Sequence, residues 1–328
     1  MFQVSSAANI PPSRSPRVAI LVVNGFARRG PRGPQRAAEA LSYPWIELCL
    51  QQVQRHSQGW DYQVFAFDNS HFEPHRELMR EFDRVRLRPR KWVAVSGRLA
   101  NRVPGPYAGR MFERRHPSAL DYLAAKVPAD FDYIVTLDND SFPVRDDWLD
   151  VLVGECENGA AVTGVYLEEL APVLHPFVHV SGLCIARADL RSLGVSFGRD
   201  IDYLGPQEQQ TAEYNQDVGQ KITYEFIRLG RRIAPLRRSN EVNFHFIMGG
   251  IYGDVVYHHG AGGRRANFRQ IGDIKVNEQI GRTLRDAAFA DIDHLIAILR
   301  GQAANDLGLT PLSATPDPAL TSARRPPS

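Results

Sequence analysis

Asp138 and Asp140 stand one residue apart at the end of an apolar run, Tyr133-Ile134-Val135-Thr136-Leu137, in the stretch DYIVTLDNDSFPVRDDWL. Two carboxylates at a strand end are hard oxygen ligands suited to Mg²⁺ or Mn²⁺. Those ions commonly take one or two protein carboxylates and fill the rest of their shell with water and phosphate. An isolated Asp-x-Asp reads first as a solvated turn, because the tripeptide is common. Here a strand-like run precedes it, and the helix-starting DDWL follows a proline, which favours a site.

Two other strand-like runs end in polar residues. Val18 to Val23 runs into Asn24, and YQVFAF runs into Asp68. In an open α/β sheet, ligands bind beyond the carboxyl ends of the strands, so Asn24, Asp68 and the Asp138/Asp140 pair are candidates for one shared site. Asp68 reads equally as a turn cap, since Asp-Asn-Ser is turn-forming chemistry.

These tips need elements to hold them. The β-branched run Val18 to Val23 predicts a strand buried on both faces, as in a parallel sheet. Trp45, Ile46, Cys49, Leu50 and Val53 recur at helical spacing in YPWIELCLQQVQRHSQ, which predicts an amphipathic helix. Strand, helix, strand in that order is a βαβ unit. Between the first strand and this helix, GFARRGPRGPQR reads as a basic Gly/Pro loop. A short strand is expected near Val85, then an Arg-rich loop. Helices are expected over HPSALDYLAAKV, DDWLDVLVGECENG and QDVGQKITYEFIRLG, the last closed by Gly230, and a terminal one over DIDHLIAILRGQA. Strands are expected over AAVTGVYLEE, at the start of VHVSGLCIARADLRSL, and over GDVVYHHG. The alternation predicts an α/β domain with a mostly parallel central sheet, flanking helices and mixed pairing late in the chain. Residues 1–16 and 305–328 are rich in Pro, Ser, Thr and Ala and read as disordered ends around a single domain at 17–304.

Bulk properties narrow the class. The chain has 328 residues, 43% of them hydrophobic and 23% charged, with a net charge of +2. That supports a packed core and gives no reason to expect a nucleic-acid partner. No apolar stretch approaches the roughly 18 to 20 residues of a transmembrane segment, and the N-terminus has no apolar core of a signal peptide. Three cysteines without paired spacing read as reduced and buried. The expected location is cytoplasmic.

Taken together, VAILVVNG, the following helix, FAFDNS and YIVTLDNDSFPVRDDWLDVL resemble the successive parts of a GT-A-fold glycosyltransferase similar to family 2, within the nucleotide-diphospho-sugar transferase superfamily. YNQDVGQKITYEFIRLGRRIA and VYHHGAGGRR extend the resemblance, which covers roughly residues 17 to 265. No single motif is highly specific; the order and spacing of five pieces carry the likeness. It implies that Asn24 and Asp68 hold the nucleotide, that Asp138 and Asp140 hold Mn²⁺ or Mg²⁺ with the donor's diphosphate, and that Asp217 is the general base. Where the family has an acid before that Asp, this chain has Gln216. The likeness also implies that a histidine of His258-His259 completes the metal shell. Adjacent strand residues face opposite ways, so at most one of the two does so. A basic loop follows, with Arg264 and Arg265 near the phosphates. His116, opening a helix, reads equally as a helix cap or as reaching the diphosphate. His175 and His179, four apart, share a strand face and are placed with Glu168 at the acceptor or sugar pocket.

The implied activity is a metal-dependent, inverting transfer from a nucleoside-diphosphate sugar to a hydroxyl on a glycan, lipid-linked or small-molecule acceptor. Its rivals are a nucleotidyltransferase acting on a sugar phosphate, a non-catalytic sugar-nucleotide or glycan binder, and, more weakly, a metal-dependent hydrolase. Asp217 also reads as an acid favoured in the first turn of a helix, and Arg264 and Arg265 as a solvated loop.

Overall fold

The computed structural model describes residues 15–25, 33–70, 73–87, 115–168, 176–194, 196–197, 217–243, 245, 248–260 and 274–310. The fold is α/β, around a seven-stranded sheet in the order β3-β2-β1-β4-β7-β6-β8. The strands are β1 (Arg17–Asn24), β2 (Asp61–Asp68), β3 (Val85–Leu87), β4 (Tyr133–Asp138), β6 (Val162–Leu167), β7 (Phe177–Ala186) and β8 (Ile233–Leu236). Parallel pairs join β3 to β2, β2 to β1, β1 to β4 and β6 to β8. β7 runs antiparallel to both β4 and β6. The mostly parallel sheet with late mixed pairing is the one expected from the strand pattern.

β1 shows why its sequence is a continuous apolar run. Val18, Ile20 and Val22 face one core layer, with helix α2 (Trp45–His56). Ala19, Leu21 and Val23 face the other, with helix α4 (Arg115–Lys126). All six residues are at most 4% exposed. A strand buried on both faces has no polar side to alternate with.

Register then lines up the polar tips. Asn24 pairs with Asp68 on β2, and Val23 pairs with Asp138 on β4. Three strands therefore deliver Asn24, Asp68 and Asp138 to one edge of the sheet.

Directly after β4 the chain turns through Asn139 and Asp140 into β5 (Ser141–Pro143). β5 belongs to a second sheet, β5-β10-β9, with β9 (Gly250–Tyr252) and β10 (Val256–His258). β10 is antiparallel to β5 with His258 opposite Ser141. The small sheet thus returns a late segment of the chain to the Asp138–Asp140 turn.

Several elements differ from expectation. Helix α1 (Gly33–Ser42) occupies part of the stretch expected to be a Gly/Pro loop; proline is tolerated in a first helical turn, where its missing N–H has no intrahelical partner anyway. Helix α8 (Ile274–Ala290), with 17 residues, was not expected, and neither were β5, β8 and β9. The remaining helices are α3 (Glu73–Glu81), α5 (Trp148–Glu157), α6 (Arg187–Leu193), α7 (Gln220–Arg228) and α9 (Ile292–Leu299). The start of the tail is held in place: Leu309 is 6% exposed, and Asn243 N donates to Thr310 O at 2.8 Å. The Sγ atoms of Cys156 and Cys184, far apart in sequence, stand 3.9 Å apart, and Cys156 is only partly buried. Among the described residues no helix is long and apolar enough to cross a membrane.

Candidate functional site

Asp138 is the centre of a ring of imidazoles. His116 Nε2, at the start of α4, lies 3.3 Å from its Oδ1. His258 Nε2, at the end of β10, is 3.8 Å from its Oδ2, and His179 Nδ1, on β7, is 3.9 Å from the same oxygen. His258 Nε2 is also 3.9 Å from Asp140 Oδ1. The rings of His179 and His258 stack with centroids 5.5 Å apart and planes 25° apart.

The two histidines of the HH pair part as strand geometry requires. His258 faces Asp138, whereas the ring of His259 lies 4.4 Å from that of Trp45, its Nδ1 3.3 Å from the Tyr257 hydroxyl. Its backbone still serves the site, since His259 N donates to Asp140 O at 2.9 Å and pins the turn. Burial pushes His258 down to about 4, with the neighbouring His179 adding to the effect and the carboxylates of Asp138 and Asp217 opposing it. Burial likewise pushes His259 down to about 3. At neutral pH His258 therefore keeps the neutral imidazole that a metal ligand needs.

These donors fit a divalent cation. Two ligands on one octahedral ion at about 2.1 Å each stand roughly 3 to 4.2 Å apart, and the separations of His258 from Asp138 and Asp140 fall in that interval. Asp138 Oδ1 and His258 Nδ1 are buried without a hydrogen bond of acceptable geometry. Carboxylate oxygens joined by a neutral imidazole nitrogen form a donor set for a divalent cation. Ligand atoms of Asp138, His179 and His258 all lie within 4.8 Å of one another.

Asp217 sits just ahead of α7. Its Oδ1 accepts from Val218 N at 2.9 Å, and its own N donates to Gln220 Oε1 at 3.2 Å. The helix N-cap is Gly219, not Asp217. Gly219 has φ +87°, and a Cβ there would lie 2.7 Å from Val180 Cγ1. Only glycine lets this turn lie so close against β7. Val178 N donates to Thr223 Oγ1 at 3.1 Å, and Thr136 Oγ1 donates to Val180 O at 2.7 Å, so α7, β7 and β4 are tied together. The result places Asp217 Oδ2 3.9 Å from His179 Nε2. One imidazole ring separates the Asp138 carboxylate from that of Asp217.

Asn24 and Asp68 form a second, buried network. Asn24 Nδ2 lies 3.3 Å from Asp68 Oδ1 and 3.2 Å from His75 Nδ1, and Asn24 Oδ1 accepts from Asn139 Nδ2 at 3.2 Å. His75 Nε2 is 3.1 Å from Ala40 O. Asp68 Oδ1 also accepts from Ser70 N at 2.9 Å and from the Ser70 hydroxyl, while its Oδ2 faces Arg76 Nε at 3.8 Å. The turn-cap role of Asp68 is thus present in the structure. His75 was not found by sequence reasoning; a lone histidine in EPHRELMRE offers no signal, and only the fold brings it to Asn24.

Glu168 directly follows β6 and pairs with Arg237. His175, Arg264 and Arg265 lie outside the described residues. Cys49 Sγ lies 3.9 Å from Asp138 O beneath the turn, and burial, together with the charges of Asp140 and Asp138, pushes its thiol far up, which makes it inert.

No family model matches the chain, and no curated protein does. Among solved structures, the chain is similar to the mannosyltransferase PcManGT from Pyrobaculum calidifontis, determined in complex with GDP-Man and Mn²⁺. The TM-score is 0.44 at 13% identity, covering 86% of this chain and 65% of that one. It is also similar to 4-diphosphocytidyl-2C-methyl-D-erythritol synthase from Anaerococcus prevotii (TM-score 0.36, 9% identity, 68% and 87% covered). A third likeness is to mouse xyloside xylosyltransferase 1 (TM-score 0.38, 14% identity, 68% and 85% covered). The chain spans 65% of the length of the mannosyltransferase. At TM-scores below 0.5, neither sugar transfer nor nucleotidyl transfer follows from these likenesses. The chain's own residues have to decide.

Proposed function

We propose that the protein is a divalent-metal-dependent glycosyltransferase that moves a sugar from a nucleoside-diphosphate sugar to an acceptor hydroxyl with inversion. The observation that carries this reading is the meeting of Asp138, Asp140 and neutral His258 at the carboxyl edge of the sheet, with the Asp217 carboxylate one imidazole away. Asp138, Asp140 and His258 are the residues that would hold the ion. When bound, Mn²⁺ or Mg²⁺ supplies positive charge against the diphosphate leaving group.

The remaining steps belong to side chains. His116, beside Asp138 and 27% exposed, reaches a donor phosphate. The Asn24–Asp68–His75 network shapes the nucleotide end, with Arg264 and Arg265 expected at the phosphates. Asp217 takes the proton as the acceptor oxygen bonds to the anomeric carbon and the bond from that carbon to the diphosphate oxygen breaks. Attack from the face opposite the leaving group inverts the centre. Gln216 in place of the acid at that position is the departure that favours a non-catalytic binder; the retained Asp217, with Asp138 and Asp140, supports an active enzyme over it.

A thermal-shift screen of nucleoside diphosphates and nucleotide sugars, with and without Mn²⁺, tests the reading. A ligand present at 100 times its dissociation constant stabilises the folded state by about 2.7 kcal/mol. One base is expected to give a Mn²⁺-dependent rise in melting temperature. A panel with no metal-dependent rise for any nucleotide would sink the proposal.

A further inference from the structure

Proximity alone would make His179 a third metal ligand beside Asp138 and His258. Its hydrogen bonds say otherwise. The Ser181 backbone N–H points at His179 Nδ1 from 3.1 Å, and the Ser181 hydroxyl lies 2.8 Å from the same nitrogen. A backbone N–H can only donate, so Nδ1 is the acceptor and carries no proton. In a neutral imidazole the proton is then on Nε2. The Nδ1 lone pair is engaged by Ser181, and the Nε2 position is filled by hydrogen. Neither nitrogen has a lone pair to give a cation. The ligand sets of His179 and His258 therefore differ although their rings stack.

The Nε2–H side of the ring faces Asp217, whose Oδ2 is 3.9 Å away. The other Asp217 oxygen already accepts from Val218 N. The ring itself is held by burial at 7% exposure and by an edge-on contact with Phe177, centroids 5.7 Å apart. Catalytic hydrogen bonds are often long without substrate and tighten when it binds. We infer that His179 is a positioning residue, a tautomer-locked Nε2–H donor that orients the Asp217 carboxylate, and not a ligand of the metal. With one oxygen accepting from Val218 N and the other facing the His179 Nε2–H, the ring sets the orientation of the carboxylate as this contact tightens on acceptor binding.

The inference rests on the reading of Asp217 as base, and its test needs neither donor nor acceptor. The full chain, labelled with ¹⁵N in its imidazoles, is compared by long-range ¹H–¹⁵N correlation with and without Mg²⁺. Signals of His179 are assigned with His179→Gln, or with His179→Phe if the first variant does not fold. The expected spectrum shows a protonated Nε2 and an unprotonated Nδ1, unchanged by Mg²⁺. The Nε2–H proton is expected to move upfield in Asp217→Asn, where the partner is a weaker acceptor; a merely structural ring would not respond. In parallel, binding of Mn²⁺ alone is followed by electron paramagnetic resonance. His179→Gln is expected to stay within about threefold of wild type, and His258→Gln to weaken binding by at least about tenfold.

A protonated Nδ1, an Nε2 signal displaced by Mg²⁺, or equal loss of Mn²⁺ binding in both variants would overturn the inference. So would an Nε2–H indifferent to Asp217→Asn. A wild type that binds no Mn²⁺ would instead remove the metal reading of the site, while the tautomer and the Asp217 response still decide the role of His179.

Discussion

Replacing Asp217 with Asn is expected to lower turnover by about 10²- to 10⁴-fold, the range a positioned general base contributes, while leaving Mn²⁺-dependent nucleotide binding as in wild type. The separation of these two effects follows from geometry. Asn keeps the size of the side chain and an oxygen able to accept from Val218 N. Gly219 and the Val178–Thr223 bond hold the turn independently of the carboxylate. The proposed ligands Asp138, Asp140 and His258 are on β4, the turn after it, and β10, not on the α7 turn. The amide loses the negative charge, and with it the ability to take a proton. Turnover retained within a few fold would remove Asp217 from the role of base, and nucleotide binding lost with turnover would make the residue part of the donor site instead.

Replacing Asp138 with Asn is expected to do the reverse, abolishing Mn²⁺-dependent stabilisation by nucleotide and turnover together. Among the described residues, Asp138 is the carboxylate that faces three imidazoles, at 3.3, 3.8 and 3.9 Å. Its Asn replacement is neutral and presents one oxygen instead of two. Changing outer partners of a metal site typically costs 10- to 100-fold in metal affinity, so losing a direct carboxylate ligand should cost at least about 100-fold. The fold itself should survive, because Asp138 closes β4 at a 16% exposed edge and contributes no side chain to either core layer. The check is the melting temperature of the variant with nucleotide, with and without Mn²⁺, against that of the variant alone. A metal-dependent rise equal to that of wild type would contradict the assignment.

The parts of the molecule legible in the sequence are those where one physical constraint dominates. β1 and β4 are buried on both faces, so their sequences are apolar runs, and their polar ends mark the carboxyl edge of the sheet. α2 and α7 show helical spacing because each has one face on the sheet. The second sheet was only partly legible. β5, β9 and β10 have three residues each, too few for any period to appear; β9 and β10 pair locally, but the pairing of β10 with β5 joins residues more than 100 apart in the chain. For the same reason the choice between His258 and His259 could not be made from the strand alone. Alternation says that the two side chains diverge, but which one meets Asp138 is decided by β10 lying antiparallel to β5 with His258 opposite Ser141. α1 was hidden by Gly and Pro at its start. Ser181 gives no hint in the sequence that its amide addresses His179, two residues back on the same strand.

Product analysis tests the central claim most directly. The nucleotide sugar with the largest Mn²⁺-dependent thermal shift is incubated with the full chain and Mn²⁺, and the phosphorus species are followed by ³¹P NMR, with pyrophosphate added in a parallel sample. The account predicts slow release of nucleoside diphosphate, even with water as the only acceptor, and no response to pyrophosphate. Formation of nucleoside triphosphate and sugar 1-phosphate on adding pyrophosphate would show cleavage between the phosphates, the chemistry of a nucleotidyltransferase, and would contradict it.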